Sequence, residues 1–124
     1  MHYVATSEAP KAIGPYSQAV AHQRILYCSG QIALDPATGE IVPGDFAAQA
    51  RRVFDNLAAV LREGGSDFSR VLKATVYVTD LANFQTLNAI YAERFGDHKP
   101  ARSTVQVSAL PKGGLVEIDL IALT

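Results

Sequence analysis

The sequence has little cysteine, little charge and no long apolar run, and each of these shortages narrows what the protein can be. Cys28 is the one cysteine among 124 residues, which excludes an internal disulfide and favours a reducing cytoplasm as its compartment. No apolar run is long enough to span a bilayer, and residues 1–5 show neither a signal-peptide core nor an arginine-rich presequence. The histidines, at positions 2, 22 and 98, match no metal-ligand spacing, so we expect no metal site.

The low content of charged residues indicates which kinds of partner the protein can bind. Charged residues make up 19% of the chain, against about 25% in a typical globular domain. This composition predicts less solvent-facing surface than a monomer needs, and therefore self-association. The formal net charge of −1 provides no general attraction for nucleic acid or for an anionic membrane. The length predicts a single domain over residues 1–124.

Hydrophobic periodicity predicts five strands and two helices in the order ββαβαββ. The strands cover 17–21, 24–29, 71–78, the segment that contains Arg102, and 115–123, and the helices cover 46–62 and the residues after Asp80. The first helix is the clearest, since its apolar residues repeat with helical spacing, Asp45 can cap its start and Gly64-Gly65 can end it. In the second helix the predicted stripe is Phe84, Leu87, Tyr91 and Phe95.

Two helices can cover only one face of the resulting mixed sheet, which predicts an α+β fold with one uncovered face. In the strand at 71–78, alternation places Leu72, Ala74, Val76 and Val78 towards the helices. The uncovered face would carry Thr75, Tyr77, Ile121 and Leu123, which are too apolar for water. A closed ring of subunits, with the sheets lining a central barrel, would bury that face.

Arg102 is the strongest candidate for binding. It lies where a loop, ended by Pro100, becomes a strand, on the same face as Thr104 and Gln106. A guanidinium held on a rigid element suits bidentate capture of a carboxylate or phosphate. The alternative is a surface arginine that makes a weak salt bridge.

Glu117 and Asp119 are two residues apart on the last strand, so their carboxylates point the same way. Near an apolar wall, one of them would have a raised pKa and could move protons near neutral pH. The alternative, which the spacing supports equally well, is that the two carboxylates are solvated at the edge of the sheet and have no catalytic role.

Other residues allow both a functional and a purely structural interpretation. Asn88 interrupts the apolar stripe of the second helix and is expected to hold a neighbouring segment in place. Tyr16 ends a stiff loop, where it could cover a pocket or anchor the loop. Ser29-Gly30 ends a strand with a glycine, which either admits a ligand close to the backbone or forms a bulge. Cys28 is expected to be a small buried hydrophobe and not a nucleophile.

Taken together, several segments resemble the RidA family, also called the YjgF family. The matching stretches are Ala9–Ala19 (APKAIGPYSQA), Ser29–Ile32 (SGQI), Asp35–Glu40 (DPATGE), Lys73–Val78 (KATVYV), Asn88–Tyr91 (NAIY), Pro100–Ser103 (PARS) and Leu110–Gly113 (LPKG). They occur in order from the N-terminal loop towards the last strand.

The resemblance implies a fold like that of bacterial chorismate mutase and a homotrimer with sites in the clefts between subunits. It implies hydrolysis of reactive 2-imino acids and their enamine tautomers, such as 2-iminobutanoate and 2-aminoacrylate, to 2-keto acids and ammonia, without metal or cofactor. Arg102 would bind the substrate carboxylate and Glu117 would position the attacking water. The pocket residues carried over are Tyr16, Ser29, Gly30, Asn88 and Thr104, the last at a position where some bacterial relatives have cysteine.

Three other functions compete. The first is a non-catalytic, trimeric small-molecule-binding or stress-induced holdase protein on the same scaffold, which would need the arginine but no water-positioning acid. The second is ribonuclease activity, which the net charge and the scattered histidines disfavour. The third is a pathway-specific deaminase, for example one acting on 2-aminomuconate, which the same site could support.

Overall fold

The computed structural model describes residues 1–124, which form six strands and two α-helices. The strands are β1 (His2–Val4), β2 (Ala19–His22), β3 (Ile25–Gln31), β4 (Val71–Val78), β5 (Ala101–Gln106) and β6 (Val116–Leu123), and the helices are α1 (Phe46–Glu63) and α2 (Phe84–Phe95). Short 3₁₀ turns at Phe68–Arg70, Leu81–Asn83 and Pro111–Gly113 connect them. Neither α-helix is long and apolar enough to cross a membrane.

The strands form one mixed sheet in the order β1-β2-β3-β6-β4-β5. β4 and β5 are parallel and joined through α2, whereas every other pair is antiparallel. α1 packs on β3 and β6, and α2 packs against α1. The predicted α+β fold, with a mixed sheet and two helices, is confirmed.

The predicted strand order missed β1, so the observed order is βββαβαββ. This strand has three residues, too few to show an alternating pattern in the sequence. It exists because His2, Tyr3 and Val4 pair with Ala21, Val20 and Ala19 of β2, a contact that only tertiary structure supplies.

Helix α1 forms as its local signals predict. The Asp45 carboxylate accepts a hydrogen bond from the backbone N–H of Ala48 at 3.0 Å and caps the first turn. Gly65, at φ +81°, takes the left-handed conformation that ends the helix. The buried face of the helix consists of Phe46, Gln49, Ala50, Val53, Phe54, Asn56, Leu57, Ala59, Val60 and Leu61.

Pairing registers define the two faces of the sheet. The face under the helices carries the core residues Ala74, Val76, Val78, Val116, Ile118, Leu120 and Ala122. The opposite face, here called the open face, carries Tyr27, Thr75, Tyr77, Glu117, Asp119, Ile121 and Leu123. Its apolar residues are only partly buried, with Tyr27 50% and Leu123 38% exposed, as the sequence predicts.

Two predicted apolar stripes need correction. Leu72 is 44% exposed while Val71 is buried, because the pairing of β4 with β6 shifts between Val71 and Lys73 and reverses the alternation there. In α2, Phe84 is 39% exposed and Ile90 is buried instead. Phe84 is the first residue of the helix, and its ring lies beside Arg102 and not in the core.

Candidate active site

Glu117 lies half-buried on the open face of β6, a strand flanked by β3 and β4. Its carboxylate lies beside Gly30: a Cβ added to that glycine would stand 2.4 Å from Oε2 of Glu117. Any other residue would therefore displace the carboxylate. Glu117 is not part of a solvated pair at a sheet edge, because β6 is an interior strand.

A β-bulge brings Gly30 into this position. Cys28 pairs with Leu120 and Gln31 pairs with Ile118, so Ser29 and Gly30 together stand opposite Asp119. Bulges bend a strand locally and are frequent beside active sites, where they redirect a side chain. Of the two interpretations of Ser29-Gly30 in the sequence, the bulge is confirmed. The group that stands close to Gly30 in the structure is the Glu117 carboxylate.

A cavity of about 510 Å³ lies above Glu117. Tyr16, Ser29 and Gly30 line it together with Glu117, and Lys11 and Lys112 contribute positive charge to its wall. The Ser29 hydroxyl donates to the backbone oxygen of Ser17 at 2.6 Å, which ties the loop that carries Tyr16 to β3. The structure thus brings four of the seven predicted site residues into one cavity.

Gln18 is a residue of this region whose importance was not predicted. Its side chain is buried; its amide nitrogen donates to the backbone oxygens of Thr6 at 3.0 Å and Pro10 at 2.8 Å, and its Oε1 accepts from the N–H of Thr6. It fixes the N-terminal loop beside Tyr16. The signal in the sequence was a polar residue at the start of an otherwise apolar strand segment.

Arg102 is held from two sides on β5. Its Nη1 donates to Oδ1 of Asn88 on α2 at 2.8 Å. Its guanidinium carbon stands 4.7 Å from the centroid of the Tyr91 ring and 5.6 Å from that of Phe84, within the range of cation–π attraction. Asn88 and the two rings therefore orient the guanidinium.

Thr104 follows Arg102 on the same face of β5 and is half-buried. Its hydroxyl oxygen and that of Tyr91 are buried without a hydrogen-bond partner. Asn88, Arg102 and Thr104 form a second group of predicted site residues, built on α2 and β5.

The two groups lie on opposite faces of the sheet. Arg102 pairs with Ala74 and faces the helices, whereas Glu117 pairs with Tyr77 and faces away from them. Arg102 is not among the residues that line the cavity above Glu117. A single chain therefore does not bring the two proposed key residues together.

Charge and burial at Glu117 suit proton transfer. Burial raises the pKa of the Glu117 carboxyl, and the negative charge of Asp119 raises it further. Burial, with the same aspartate, raises the pKa of Cys28 to about 12, so this thiol stays protonated near neutral pH. Cys28 is buried, which confirms that it is a small core residue.

A family model described as Endoribonuclease L-PSP matches residues 6–124 of the chain. The protein DfrA of Myxococcus xanthus is 54% identical over 121 residues, which cover 96% of this chain and 92% of that protein. A Bos taurus protein named 2-iminobutanoate/2-iminopropanoate deaminase is 48% identical over 120 residues, covering 97% of this chain and 88% of the relative.

Solved structures agree with these matches. The crystal structure of RidA from an Antarctic Psychrobacter bacterium superposes with a TM-score of 0.96 at 42% identity and covers 100% of both chains. The crystal structure of E. coli TdcF with bound serine superposes with a TM-score of 0.94 at 41% identity, covering 100% of this chain and 99% of the other.

Proposed function

The chain belongs to the RidA family, which the Endoribonuclease L-PSP model describes, and we propose that it hydrolyses 2-iminobutanoate and 2-iminopropanoate to the 2-keto acids and ammonia. The observation that carries this proposal is the Glu117 carboxyl, half-buried beneath a cavity and pressed against Gly30. A carboxylate in that setting can hold and deprotonate a water molecule. Relatives that carry the deaminase name support the choice of reaction.

The substrate site is composed of two subunits. Since Arg102 and Glu117 face opposite sides of one sheet, a second copy must supply one of them. The apolar open face provides the means of association, because water would otherwise contact the exposed Tyr27 and Leu123 and the partly buried Ile121. A cyclic homotrimer closes such a face into a barrel and repeats the same cleft at each interface.

The reaction needs only these side chains and water. Arg102 binds the substrate carboxylate through its free N–H groups and fixes the imine carbon in the cleft. The substrate imine is protonated, so its C2 is electrophilic. Glu117 takes a proton from water as the water oxygen bonds to C2 and the C=N π electrons move to nitrogen, which forms a neutral tetrahedral amino alcohol. Glu117 then returns the proton to the amino nitrogen and becomes a carboxylate again. As the carbon–nitrogen bond breaks and ammonia leaves, the hydroxyl oxygen forms the C=O bond of the 2-keto acid and gives its proton to Glu117, which releases it to ammonia or to water.

Electrostatics explain how Glu117 serves both steps. A carboxylate whose pKa is raised by burial and by Asp119 is a better base than one in water. After protonation it is also the acid that can pass the proton on to the leaving nitrogen. Tyr16, 53% exposed at the cavity rim, covers the bound substrate.

A coupled assay tests the proposal. A threonine dehydratase generates 2-iminobutanoate in a buffer where spontaneous hydrolysis is slow, and the appearance of 2-oxobutanoate is followed with and without this protein. We expect acceleration by the wild type, none by Arg102→Ala, and a loss of about 10²–10⁴-fold in kcat for Glu117→Gln. Arg51→Ala is the matched control, since Arg51 is an exposed arginine on α1.

Two outcomes would contradict the proposal that the protein hydrolyses 2-iminobutanoate and 2-iminopropanoate. If a well-folded oligomer gave no acceleration but bound amino or keto acids through Arg102, a binding protein on the same scaffold would be the correct function. If the protein acted only on larger substrates such as 2-aminomuconate, the correct function would be that of a pathway-specific deaminase. Equal activity of the wild type and Arg102→Ala would remove the assigned role of the arginine.

A further inference from the structure

We propose that Asp119, held in place by Tyr77, is a positioning residue for Glu117 and sets the pH range in which Glu117 acts as a base. The inference rests on the proposed function for its kinetic consequence. Its physical basis is a cluster of three side chains on the open face, of which only Glu117 lines the cavity.

The cluster is fixed by strand pairing. Tyr77 on β4 pairs with Glu117 on β6, and the next open-face pair is Thr75 with Asp119. The Tyr77 hydroxyl reaches diagonally across the strands and donates to Oδ2 of Asp119 at 3.0 Å. This hydrogen bond fixes the position of the Asp119 carboxylate on the open face.

No salt bridge within one chain involves this carboxylate. The two salt bridges of the chain join Arg62 with Glu8 and Arg94 with Asp55, and neither involves the cluster. From β3, the bulge presents Gly30, which has no side chain, and Ser29, whose hydroxyl is committed to the Ser17 backbone. The cation of the open face on β4 is Lys73, whose ammonium donates to the Ser103 hydroxyl at 3.2 Å. Within one chain the charge of Asp119 therefore acts on its neighbours without an ion-pair partner.

The other titratable groups around Glu117 are few. Cys28 on β3 is protonated near neutral pH. Tyr16, Lys11 and Lys112 line the same cavity as Glu117, and the Lys112 ammonium donates to the backbone oxygen of Gly39 at 2.9 Å. Asp119 is thus the one carboxylate that shares the open face of β6 with Glu117.

Asp119 perturbs each neighbour in the same direction. Its negative charge adds to burial in raising the pKa of Glu117, of Tyr77 and of Cys28. Loss of that charge would lower the pKa of Glu117. The acidic limb of the kcat/KM profile would then move to lower pH, and the plateau rate would fall, because a weaker base removes a proton from water less readily.

Asp119→Asn tests this most directly, with Asp119→Glu as the variant that keeps the charge. We expect the acidic limb to move to lower pH in Asp119→Asn and to stay near the wild type in Asp119→Glu. We expect the plateau to fall by less than about tenfold in Asp119→Asn, well short of the loss on removing the base itself. Rates are measured at each pH with the dehydratase in excess and the spontaneous rate subtracted.

A second measurement does not depend on activity. The carboxyl carbon of Glu117 is titrated by ¹³C NMR in the unliganded oligomer, with Glu117→Gln used to assign the resonance. The pH at the midpoint of the Glu117 titration should be lower in Asp119→Asn than in the wild type, and unchanged in Asp119→Glu. It should fall by a smaller amount in Tyr77→Phe, where Asp119 loses its hydrogen-bond donor. Light scattering verifies that each variant keeps its assembly.

The outcomes separate the two hypotheses. If the wild type hydrolyses no imino acid, the proposed function fails, while the titration still decides whether Asp119 controls Glu117. An unchanged midpoint in Asp119→Asn would overturn the inference even in an active enzyme. Equal shifts in Asp119→Asn and Asp119→Glu would also overturn it, since the effect would then come from packing and not from charge.

Discussion

Arg102 and Glu117 face opposite sides of the same sheet. Arg102 stands on β5 in register with Ala74, whose side chain is in the core, and Glu117 stands on β6 in register with Tyr77 on the open face. No rotamer change brings a side chain through a packed sheet. If both residues act on one substrate, they come from different copies of the chain.

Mixed oligomers of two inactive variants test this arrangement. Arg102→Ala and Glu117→Gln are each expected to be inactive alone. In randomly mixed trimers, some interfaces join an intact Arg102 from one subunit to an intact Glu117 from the next, and cyclic symmetry predicts recovery of about a quarter of the wild-type rate. The measurement is the coupled assay after co-refolding in equal amounts.

A chain that carries both substitutions is the control for this experiment. Mixed with the wild type it can only dilute activity. If the two single variants recover nothing together, although light scattering shows mixed trimers, then Arg102 and Glu117 do not serve the same site.

Gly30→Ala is expected to impair catalysis without unfolding the protein. The new Cβ would meet the carboxylate end of Glu117 at 2.4 Å, and this flexible end can swing aside. The base would then leave its position against the cavity, and we expect kcat to fall by about 10²-fold with little change in melting temperature.

Gly114→Ala is the matched control for Gly30→Ala, since its φ is −59° and a Cβ there would approach no atom closer than 3.4 Å. A Gly30→Ala protein with wild-type kcat would show that the exact position of Glu117 is not required. A large loss of stability would instead mean that β3 cannot accommodate the methyl group.

Asn88→Ala is expected to weaken substrate binding through Arg102. The variant removes the acceptor at 2.8 Å from Nη1, and hydrogen bonds to charged groups contribute about 1.5–3 kcal/mol. We expect KM for the imino acid to rise by about tenfold or more, with a smaller change in kcat. Steady-state kinetics over a range of dehydratase fluxes separates the two constants.

Gln85→Ala serves as the control, because it truncates an exposed amide on the same helix. If Asn88→Ala lowered kcat and left KM unchanged, Asn88 would act in the chemical step and not by orienting the arginine.

Sequence patterns alone determined much of this protein. The α1 stripe, the Asp45 cap and the left-handed Gly65 are local signals, read within one helix, and the structure follows them. Side chains alternate between the two faces of a strand, so the sequence alone predicts that one face carries Thr75, Tyr77, Ile121 and Leu123. The RidA motifs likewise name the family, because they lie in one order along the chain.

The tertiary structure decided how those residues meet. The bulge at Ser29-Gly30 sets Glu117 against a glycine, and β4 turns Leu72 outward through a register shift. Asn88 accepts a hydrogen bond from Arg102, which lies fourteen residues further along the chain. These relationships depend on strand register and on packing between distant segments. Periodicity tells which way a side chain points within its own strand, but not which strand, face or subunit it will meet.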